Sequence, residues 1–466
     1  MRKAGKKMGF FFDTVQGKRV AFIGAGVSHR QLIPMFAKAG AQVTLCDKKP
    51  LESFGEYGTE LMALGVRLSL GENYLNGLAG QQMVLRTPGF EFFTPELQAA
   101  GRAGALLTSE MELFFEYCPC PLVGITGSDG KTTTTSLIAA MYRQAGRTVH
   151  LGGNIGRALL PIVEEIQPAD IAVAELSSFQ LISMRRSPGI AVVTNVTPNH
   201  LDHHKDMQEY VDAKRNILLY QPAGSLAVLG YENEISRGMQ ADVKGECRFF
   251  SRLQKVDNGA FLRQDGMLCL TQNGGETPVV AQSEVALRGL HNIENLLAAF
   301  AAVNGAVPTE AMAQVARSFK GVEHRIEPVR TVNGVQWFND SIATSPTRVI
   351  AGLRAFNQKL VVLAGGYDKK VPFEPMAQDV LQRVKLLVLM GPAAPKIEQA
   401  LRGAPGFEES GLQILHAQNL PEAVQIASKK AVPGDIVTLS PACASFDAYP
   451  NFEERGRHFK QLVNAL

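Results

Sequence analysis

The chain has 466 residues, 45% hydrophobic and 20% charged, which is enough for about three globular domains. Its 47 Lys and Arg residues nearly balance 44 Asp and Glu residues, and the net charge of +3 argues against a nucleic-acid-binding protein. No stretch approaches the roughly 18 apolar residues of a membrane span and no signal peptide is evident, so we expect a cytoplasmic protein without membrane contact.

The first hundred residues alternate short apolar strands with helical patterns. A buried-strand pattern at Arg19–Ile23 is followed by Gly24-Ala25-Gly26, and a second strand at Gln42–Cys46 ends on Asp47. Such alternation predicts a parallel sheet flanked by helices. The two glycines and Asp47 resemble half of a dinucleotide-binding fingerprint, but His29 stands where the third glycine would be. A structural tight turn and an oxidoreductase site are both open at this point.

Two further α/β patterns follow a break at Pro119-Cys120-Pro121. The predicted elements of the second pattern are strands at Leu122–Ile125, Ile171–Ala174 and Ile190–Val193, a β-rich stretch near residues 225–285, and a helix over Asn292–Val303. After Gly321 the predicted strands are Val335–Phe338, Leu360–Leu363, Lys385–Leu389 and Asp435–Leu439. The order of these elements predicts an α/β protein of three domains.

Cysteine and histidine spacing gives no sign of a zinc site. The six cysteines are scattered, without a CxxC pair or a Cys/His cluster, which is typical of free thiols in a reducing compartment. Three histidines fall within five residues, at His200, His203 and His204, but their spacing matches no recognised ligand set. We therefore expect neither disulfides nor structural zinc.

The strongest local pattern is the glycine-rich segment from Gly124 to Thr133, between an apolar strand and a helical pattern. Glycines let backbone N–H groups surround phosphate oxygens, a lysine neutralises their charge, and the next hydroxyl can bind Mg²⁺. The segment departs from the strict P-loop spacing because Ile125 occupies the first glycine position. It predicts a nucleoside triphosphate site, with an ordinary glycine-rich turn as the alternative. The candidate phosphate-binding residues are Gly127, Ser128, Asp129, Gly130, Lys131, Thr132 and Thr133.

Other polar residues give weaker signals when each is taken alone. Glu175 ends a strand and could hold Mg²⁺ beside the phosphate loop, or could be solvated. Asn292 and Asn295 share one helix face, where they could cap the helix or bind a ligand. Lys214 lies in a helical pattern in which a surface lysine is the favoured interpretation.

Taken together and in this order, these segments resemble the Mur ligase family. The phosphate loop, Asn199-His200 and His291–Asn295 are shared by the family and by folylpolyglutamate synthase. Three further segments are more typical of the members that add D-glutamate, namely residues 175–181, residues 339–344 and the run from Leu439 to Gly456. The resemblance spans nearly the whole chain.

The resemblance implies a fold and an activity. The fold has a Rossmann-like N-terminal UDP-binding domain (residues 1–108), a central P-loop-type ATPase domain with a mixed sheet (109–322), and a Rossmann-like C-terminal amino-acid-binding domain (323–466). The implied enzyme is an ATP-dependent ligase of cytoplasmic peptidoglycan precursor synthesis that adds D-glutamate to UDP-N-acetylmuramoyl-L-alanine through an acyl phosphate. We expect ATP and two Mg²⁺ sites to be required, and the chain to be a monomer.

The resemblance also assigns roles to individual residues. Those implied in catalysis are Lys131, His200 and Lys214, and those implied in metal binding are Thr132, Glu175, His200 and a carbamylated Lys214. Nucleotide contacts beyond the phosphate loop are implied for Asn292, Asn295, Arg325 and Asp340. The UDP-sugar is implied to contact Ser28, Asp47, Gly89, Asn154, Ser177 and His200, and D-glutamate to contact Thr344, Lys369, Ser445, Phe446 and Phe452.

Two departures from the family pattern concern amino-acid recognition. Ile342 stands where many members have a lysine, and Tyr367-Asp368 replaces Asp-Gly, so that Lys369 and Lys370 are alternatives for one role. The open alternatives are a sister ligase or folate polyglutamylating enzyme, a nucleotide-gated binding protein without the chemistry, and an NAD-dependent dehydrogenase. The first alternative predicts another amino acid or acceptor, the second predicts no turnover, and the third predicts a nicotinamide cofactor.

Overall fold

Three sheets flanked by helices form the two units of the chain. The structure is a computed structural model that describes residues 11–155, 157–198, 203–287, 289–368 and 371–466. One unit ends at Phe319 and contains a five-stranded and a nine-stranded sheet, and the other runs from Lys320 to Leu466 and contains a six-stranded sheet. The α/β class and the three separate sheets confirm the fold class predicted from the sequence.

The first sheet is parallel throughout. Its strands are β1 (Arg19–Ile23), β2 (Gln42–Asp47), β3 (Arg67–Leu70), β4 (Met83–Arg86) and β5 (Leu106–Thr108). The accompanying helices are α1 (Val27–Arg30), α2 (Leu32–Lys38), α3 (Gly55–Ala63), α4 (Pro95–Arg102) and α5 (Glu110–Tyr117). The strand order is β3-β2-β1-β4-β5, with Val20 of β1 paired to Val43 on one side and Met83 on the other. The carboxyl ends of β1, β2 and β4 therefore share one edge, where ligands of such sheets bind.

The second sheet is mixed, as predicted for the central region. Its strands are β6 (Leu122–Thr126), β7 (Val149–Gly153), β8 (Ile171–Glu175), β9 (Ile190–Val193), β10 (Leu226–Gly230), β11 (Glu246–Ser251), β12 (Gly259–Leu262), β13 (Met267–Gln272) and β14 (Gly275–Ala281). Its helices are α6 (Lys131–Gln144), α7 (Ser178–Leu181), α8 (Met207–Leu219), α9 (Glu234–Gly238), α10 (Leu290–Val303) and α11 (Thr309–Ser318). The order is β14-β13-β12-β11-β10-β9-β6-β8-β7, and only the pairs β12–β13 and β13–β14 are antiparallel.

Helix α10 lies in the core of the first unit. Every residue from Leu296 to Val303 is at most 2% exposed, and the helix packs against α6, β11 and β12. An apolar surface on all sides is what a fully enclosed helix requires. The polar residues Asn292 and Asn295 occupy its first turns, so the packing of α10 fixes where these two amides lie.

The third sheet belongs to the second unit. Its strands are β15 (Glu327–Val332), β16 (Val335–Asn339), β17 (Leu360–Gly365), β18 (Val384–Met390), β19 (Gln413–Ala417) and β20 (Ile436–Leu439). Its helices are α12 (Pro346–Arg354), α13 (Ala377–Arg383), α14 (Ala394–Arg402), α15 (Phe407–Ser410), α16 (Leu420–Lys430) and α17 (Phe452–Asn464). The order is β15-β16-β20-β17-β18-β19, with only β15 and β16 antiparallel. All six residues of β17 are buried, as expected for an inner parallel strand.

No helix in the described part of the chain is both long enough and apolar enough to cross a membrane. The nine strands predicted by residue range are all present: six extend by one or two residues, two have the predicted bounds, and the last begins one residue later, at Ile436. The strand expected at Lys385–Leu389, for example, runs from Val384 to Met390.

A buried carboxyl group lies at the start of α5, which links the first two sheets. Ser109 caps this helix through its side-chain oxygen, and the next residue, Glu110, is 5% exposed. Its Oε1 atom accepts hydrogen bonds from the backbone N–H groups of Leu159 and Leu160, at 2.9 and 2.8 Å. Burial raises the pKa of Glu110 to about 7, although the two hydrogen bonds oppose that rise.

We expect Glu110→Gln to remove a pH dependence of stability. Between about pH 4.5, where this carboxyl titrates in the unfolded chain, and about pH 7, the folded state holds a proton that the unfolded state has lost. Its contribution to stability therefore falls as pH rises through this interval, by on the order of 3 kcal/mol. The glutamine oxygen can still accept both hydrogen bonds without charge. Urea unfolding at about pH 5 and about pH 8 should show the variant gaining stability over the wild type only at the higher pH.

Glu116→Gln is the matched control for this change, because Glu116 is an exposed residue of the same helix. Its stability difference from the wild type should be the same at both pH values. An equal pH dependence in the wild type and in Glu110→Gln would contradict the assignment.

Candidate active site

The phosphate loop joins β6 to α6 and contains two glycines that no other residue can replace. Gly127 and Gly130 have φ values of 149° and 78°, which side chains rarely allow. A Cβ atom at Gly127 would overlap Thr194 Oγ1, and one at Gly130 would overlap Asn295 Oδ1. Glycine is therefore required at both positions, first for the backbone angles and second for the close contacts with Thr194 and Asn295.

Neighbouring residues hold the loop in shape through its own backbone. The N–H of Ser128 donates to the carbonyl oxygen of Asn195 at 2.8 Å, and the N–H of Asp129 donates to Asn195 Oδ1 at 3.0 Å. Thr194 Oγ1 donates to the carbonyl oxygen of Asp129 at 2.6 Å. These contacts come from the segment after β9, the neighbour of β6 in the sheet.

The loop ends at the N-terminus of α6, a helix of 14 residues whose first turn receives no side-chain cap. Backbone N–H groups and the helix dipole make such an end favourable for an anion. Lys131 is the first helical residue, and its Nζ donates to the carbonyl oxygens of Gly127 and Ser128, each at 2.9 Å. Its positive charge is thereby held over the loop, where a phosphate would need it.

A hydroxyl and a carboxylate meet beside this helix end. Thr132 Oγ1 donates to Glu175 Oε2 at 2.7 Å, and Asn154 Nδ2 donates to Glu175 Oε1 at 2.8 Å. Glu175 ends β8 next to β6 and is only 1% exposed, so the interpretation of a solvated loop residue is wrong. A buried carboxylate next to a threonine hydroxyl is the oxygen donor set that Mg²⁺ prefers, and these residues fit that ion.

Lys214 is buried, and the interpretation of a surface lysine is wrong. Helix α8 turns this residue toward the phosphate loop, where it is 1% exposed and its Nζ donates to the carbonyl oxygen of Gly127 at 2.8 Å. Nζ also lies 4.5 Å from the ring centre of Tyr210, and the Tyr210 hydroxyl lies 3.0 Å from Ser128 Oγ. Burial, aided by the nearby charge of Lys131, holds the pKa of Lys214 well below its usual range.

The two asparagines of α10 lie against the same loop. Asn295 is 6% exposed; its Nδ2 donates to Asn292 Oδ1 at 3.1 Å, and its Oδ1 accepts from Thr134 Oγ1 at 3.3 Å. Since Thr134 belongs to the first turn of α6, both amides are next to the predicted nucleotide site.

The UDP-sugar candidates of the first sheet lie at its carboxyl edge. Asp47 ends β2, where its two carboxylate oxygens accept hydrogen bonds from the N–H groups of Ala25 and Lys49. Ser28 lies in α1, directly after β1, and Gly89 lies in the exposed loop after β4. The structure thus brings the three candidates to one edge of the sheet.

The place of the missing third glycine is filled by a neutral core residue. His29 is fully buried, its Nδ1 lies 2.9 Å from the carbonyl oxygen of Gly24, and its ring packs edge-on against Phe22. Burial lowers the pKa of His29 to about 4, so the ring is uncharged at neutral pH. A bulky ring in this position favours the tight-turn interpretation of the glycine pair over a dinucleotide site.

Ser177 caps the short helix α7, directly after β8. Its Oγ accepts from the N–H of Gln180, and the Gln180 side chain accepts from the N–H of Ser177.

A buried histidine lies against this helix, a contact that the sequence did not reveal. His204 is buried, stacks on Phe179 with 7° between the ring planes, and places Nε2 2.9 Å from Ser178 Oγ. His204 Nδ1 lies 3.0 Å from Glu209 Oε1, so both ring nitrogens contact neighbouring side chains.

In the second unit, a buried carboxyl group follows β16. Asp340 is 4% exposed, and burial raises its pKa to about 7. Its oxygens accept from Ser440 Oγ at 2.9 Å and from the N–H of Ile326 at 3.3 Å, next to the exposed Arg325. Ile326 has a φ of 46°, a strained value for a β-branched residue that this contact helps to hold.

The D-glutamate candidates lie in segments that Arg455 ties together. This arginine is 2% exposed and donates to Ser341 Oγ and to the carbonyl oxygens of Ser341, Cys443 and Ala444. The candidates in these segments and beside them are Thr344, Ser445, Phe446 and Phe452. Ser445 is 2% exposed, whereas Phe446 is 65% exposed and packs edge-on against Tyr367.

Ile342, which stands in the usual lysine position, accepts a hydrogen bond from Arg348 Nη1 through its carbonyl oxygen, at 3.1 Å. The predicted roles of His200, Lys369 and Lys370 fall on residues outside the described part of the chain. They stay predictions.

Comparison with protein families and known proteins finds relatives along nearly the whole chain. Residues 125–303 match the Mur ligase middle domain, and residues 324–443 match the Mur ligase glutamate ligase domain. The chain is 47% identical over 456 residues to a UDP-N-acetylmuramoylalanine--D-glutamate ligase of Clostridium botulinum (strain 657), covering 98% of each chain. It is also 47% identical over 462 residues to the protein of the same name from Acetivibrio thermocellus, covering 99% of each.

Solved structures share the fold at low sequence identity. A UDP-N-acetylmuramate-alanine ligase, MurC, from Thermotoga maritima matches with a TM-score of 0.56 and 16% identity, over 96% of this chain and 99% of that one. MurF from Acinetobacter baumannii matches with a TM-score of 0.55 and 15% identity, over 96% and 94%. At such identities the likeness concerns the fold alone.

Proposed function

The chain belongs to the Mur ligase family, and we propose that it joins D-glutamate to UDP-N-acetylmuramoyl-L-alanine, converting ATP to ADP and phosphate. The main support is the 47% identity to D-glutamate ligases over almost the whole chain. The cluster of Lys131, Thr132, Glu175 and Lys214 around one phosphate loop supports the ATP-dependent step. We place the reaction in the cytoplasm, in peptidoglycan precursor synthesis, and expect a monomer.

The proposed reaction has two steps. The terminal phosphoryl group of ATP passes to the carboxylate of the alanyl end, which gives an acyl phosphate and ADP. The amine of D-glutamate then attacks the acyl carbon, loses a proton, and displaces phosphate as the amide forms. Both steps depend on neutralising charge and on holding the reactants in line.

The residues of the phosphate loop are proposed to bind ATP. Lys131 and the helix N-terminus face the phosphates, and their charge offsets the negative charge that crowds there during transfer. Asn292 and Asn295, held beside the loop by α10, are proposed to contact the adenine. Arg325 and Asp340 of the second unit are proposed as further nucleotide contacts.

Thr132 and Glu175 are proposed to hold one Mg²⁺, whose bound form neutralises phosphate charge. Glu175 Oε2 and Thr132 Oγ1, which lie 2.7 Å apart, would supply its oxygen ligands from the protein. His200 and a carbamylated Lys214 are proposed for a second Mg²⁺.

The surroundings of Lys214 support the proposal that it is carbamylated. The reaction of CO₂ with an amine requires the neutral form, and burial favours the neutral form by lowering the lysine pKa. The product has a carboxylate-like end and a negative charge, which suits a cation site next to Lys131. This proposal gives a reason for a lysine that is 1% exposed in the middle of a phosphate site.

Substrate recognition is proposed to divide between the two units. In the first unit, Ser28, Asp47 and Gly89 are assigned to the UDP end, and Asn154 and Ser177 to the part near the reacting carboxylate. In the second unit, Thr344, Lys369, Ser445, Phe446 and Phe452 are assigned to D-glutamate. A cation and a hydroxyl suit the carboxylates of this amino acid.

The test is phosphate release from ATP and Mg²⁺ with UDP-N-acetylmuramoyl-L-alanine and one amino acid at a time. We expect release with D-glutamate and not with L-glutamate or L-lysine, and no release when the UDP-sugar is omitted. Release with another amino acid would mean that the chain has the amino-acid specificity of a sister ligase. Ile342 and Tyr367 would then be the first residues to exchange. Release with a reduced folate in place of the UDP-sugar would refute the proposal.

A further inference from the structure

Arg86 is a buried arginine to which neither the family resemblance nor the proposed reaction gives a role. It ends β4 in the first sheet and is 2% exposed. Nη1 and Nη2 of its guanidinium lie within hydrogen-bond distance of five oxygens, all of them neutral, and two of the three contacts of Nη1 share one N–H. Burying a charged group is costly unless hydrogen bonds replace its lost hydration, and these five contacts do so in part.

One end of the guanidinium binds the loop that follows β4. Nη1 donates to the carbonyl oxygens of Thr87 at 3.3 Å, Pro88 at 3.0 Å and Phe90 at 2.7 Å. Three carbonyl oxygens of the loop thus face the same nitrogen atom, and Gly89 is exposed at the tip of the loop. Because three carbonyl groups point at one donor, the loop has little freedom to change shape.

The other end reaches a segment of the second sheet that is far away in sequence. Nη2 donates to the carbonyl oxygen of Phe179 at 2.6 Å and to Ser183 Oγ at 3.0 Å. Phe179 is the second residue of α7, and Ser177 caps the start of the same helix. The two ends of one rigid, planar side chain therefore join the Gly89 loop to the helix that Ser177 begins.

The positive charge of Arg86 is partly offset by a carboxylate. The carboxylate of Glu112 in α5 acts on the guanidinium and opposes the effect of burial on its pKa, and this carboxylate accepts a hydrogen bond from the N–H of Arg185 at 2.7 Å. Burial lowers the pKa of Arg86 to about 10, so the guanidinium keeps its charge at neutral pH. The ring of Phe92 lies 5.7 Å from the guanidinium carbon and shields it from water.

We propose that Arg86 is a positioning residue for the UDP-sugar, which holds the Gly89 loop and the Ser177 helix at a fixed separation so that one substrate can span both. This inference rests on the proposed function, because it takes these two segments as the opposite ends of the UDP-sugar site. Arg86 itself touches no substrate. It acts through the loop and the helix that it joins.

The test is steady-state kinetics of Arg86→Ala. We expect the KM for UDP-N-acetylmuramoyl-L-alanine to rise at least about tenfold, because both ends of the site lose their common support. The KM values for ATP and D-glutamate should stay at the wild-type level. Added guanidinium ion should lower the raised KM by refilling the space that the side chain leaves.

Arg248→Ala is the matched control. Arg248 is 6% exposed in the same unit and donates to the carbonyl oxygens of Ala301, in the last turn of α10, and of Asn304, and neither residue lies in a segment assigned to the UDP-sugar. Its loss should lower the melting temperature without changing the KM for the UDP-sugar. An equal rise of that KM in both variants would show a general loss of stability and would overturn the proposal.

Arg86→Lys decides the matter if the alanine variant does not fold. A lysine keeps the charge but has one nitrogen, which cannot reach both segments, so the KM for the UDP-sugar should still rise. A wild-type KM in a folded Arg86→Lys or Arg86→Ala protein would overturn the inference. A wild-type enzyme that does not use the UDP-sugar would instead refute the proposed function, so the two failures are distinguishable.

Discussion

Lys131→Ala is expected to lower phosphate release by at least about 10³-fold while leaving the fold intact. The Lys131 ammonium is held over the phosphate loop by the carbonyl oxygens of Gly127 and Ser128, and its charge is the nearest to the site where the phosphates of ATP are proposed to lie. The side chain is at the start of a helix, where alanine is well tolerated. Phosphate release should therefore fall without a matching fall in melting temperature.

Arg143→Ala is the control for this change, since Arg143 lies in the last turn of the same helix, away from the loop. It should retain normal turnover. Normal turnover in Lys131→Ala would remove the central residue of the proposed ATP site.

Lys214→Ala should give the second large effect, a loss of about 10²- to 10³-fold in turnover, with partial recovery when a small carboxylic acid is added. If the carbamylated lysine supplies a carboxylate-like ligand, then formate or acetate can enter the space left by the side chain and replace that ligand. Recovery should depend on the acid concentration. The intact wild-type protein should also contain one labile carboxyl group at Lys214, which mass spectrometry under mild alkaline conditions can detect.

Lys205→Ala is the matched control, because Lys205 is an exposed lysine just before the same helix. It should show wild-type turnover and no response to added acid. A Lys214→Ala protein that is folded and inactive, yet indifferent to every small acid, would contradict the carbamate proposal while leaving the importance of the lysine in place.

The elements that sequence patterns predicted well are those whose signal is local. The phosphate loop is an example, since the glycines, the lysine and the following helix lie within ten consecutive residues, and the structure gives Gly127 and Gly130 the backbone angles that glycine allows. Several buried strands in each of the three sheets, such as β1, β6 and β17, were likewise visible as short apolar runs, whereas the equally buried β4 was not predicted. Their order within each sheet was not visible, because pairing joins segments far apart in sequence.

Burial and partners in tertiary structure were harder to predict. Lys214 has the helical spacing of a surface residue, and only the packing of α8 against the loop, 87 residues away in sequence, buries its amine. The contacts of Glu110 with Leu159 and Leu160, and of His204 with Ser178, are also long-range and carry no sequence motif. One local hint was available, since Tyr210 precedes Lys214 by four residues and shares its helix face.

The bonds that hold the phosphate loop have a thermodynamic consequence. Asn195 and Thr194 bond the backbone of Ser128 and Asp129 from within the protein, so the fold itself restricts the conformational entropy of the loop. Binding free energy is then not consumed in ordering the chain, and association need not wait for a loop to fold. Nucleotide capture by this rigid loop is therefore expected to be limited by diffusion and by the shedding of water from the phosphates.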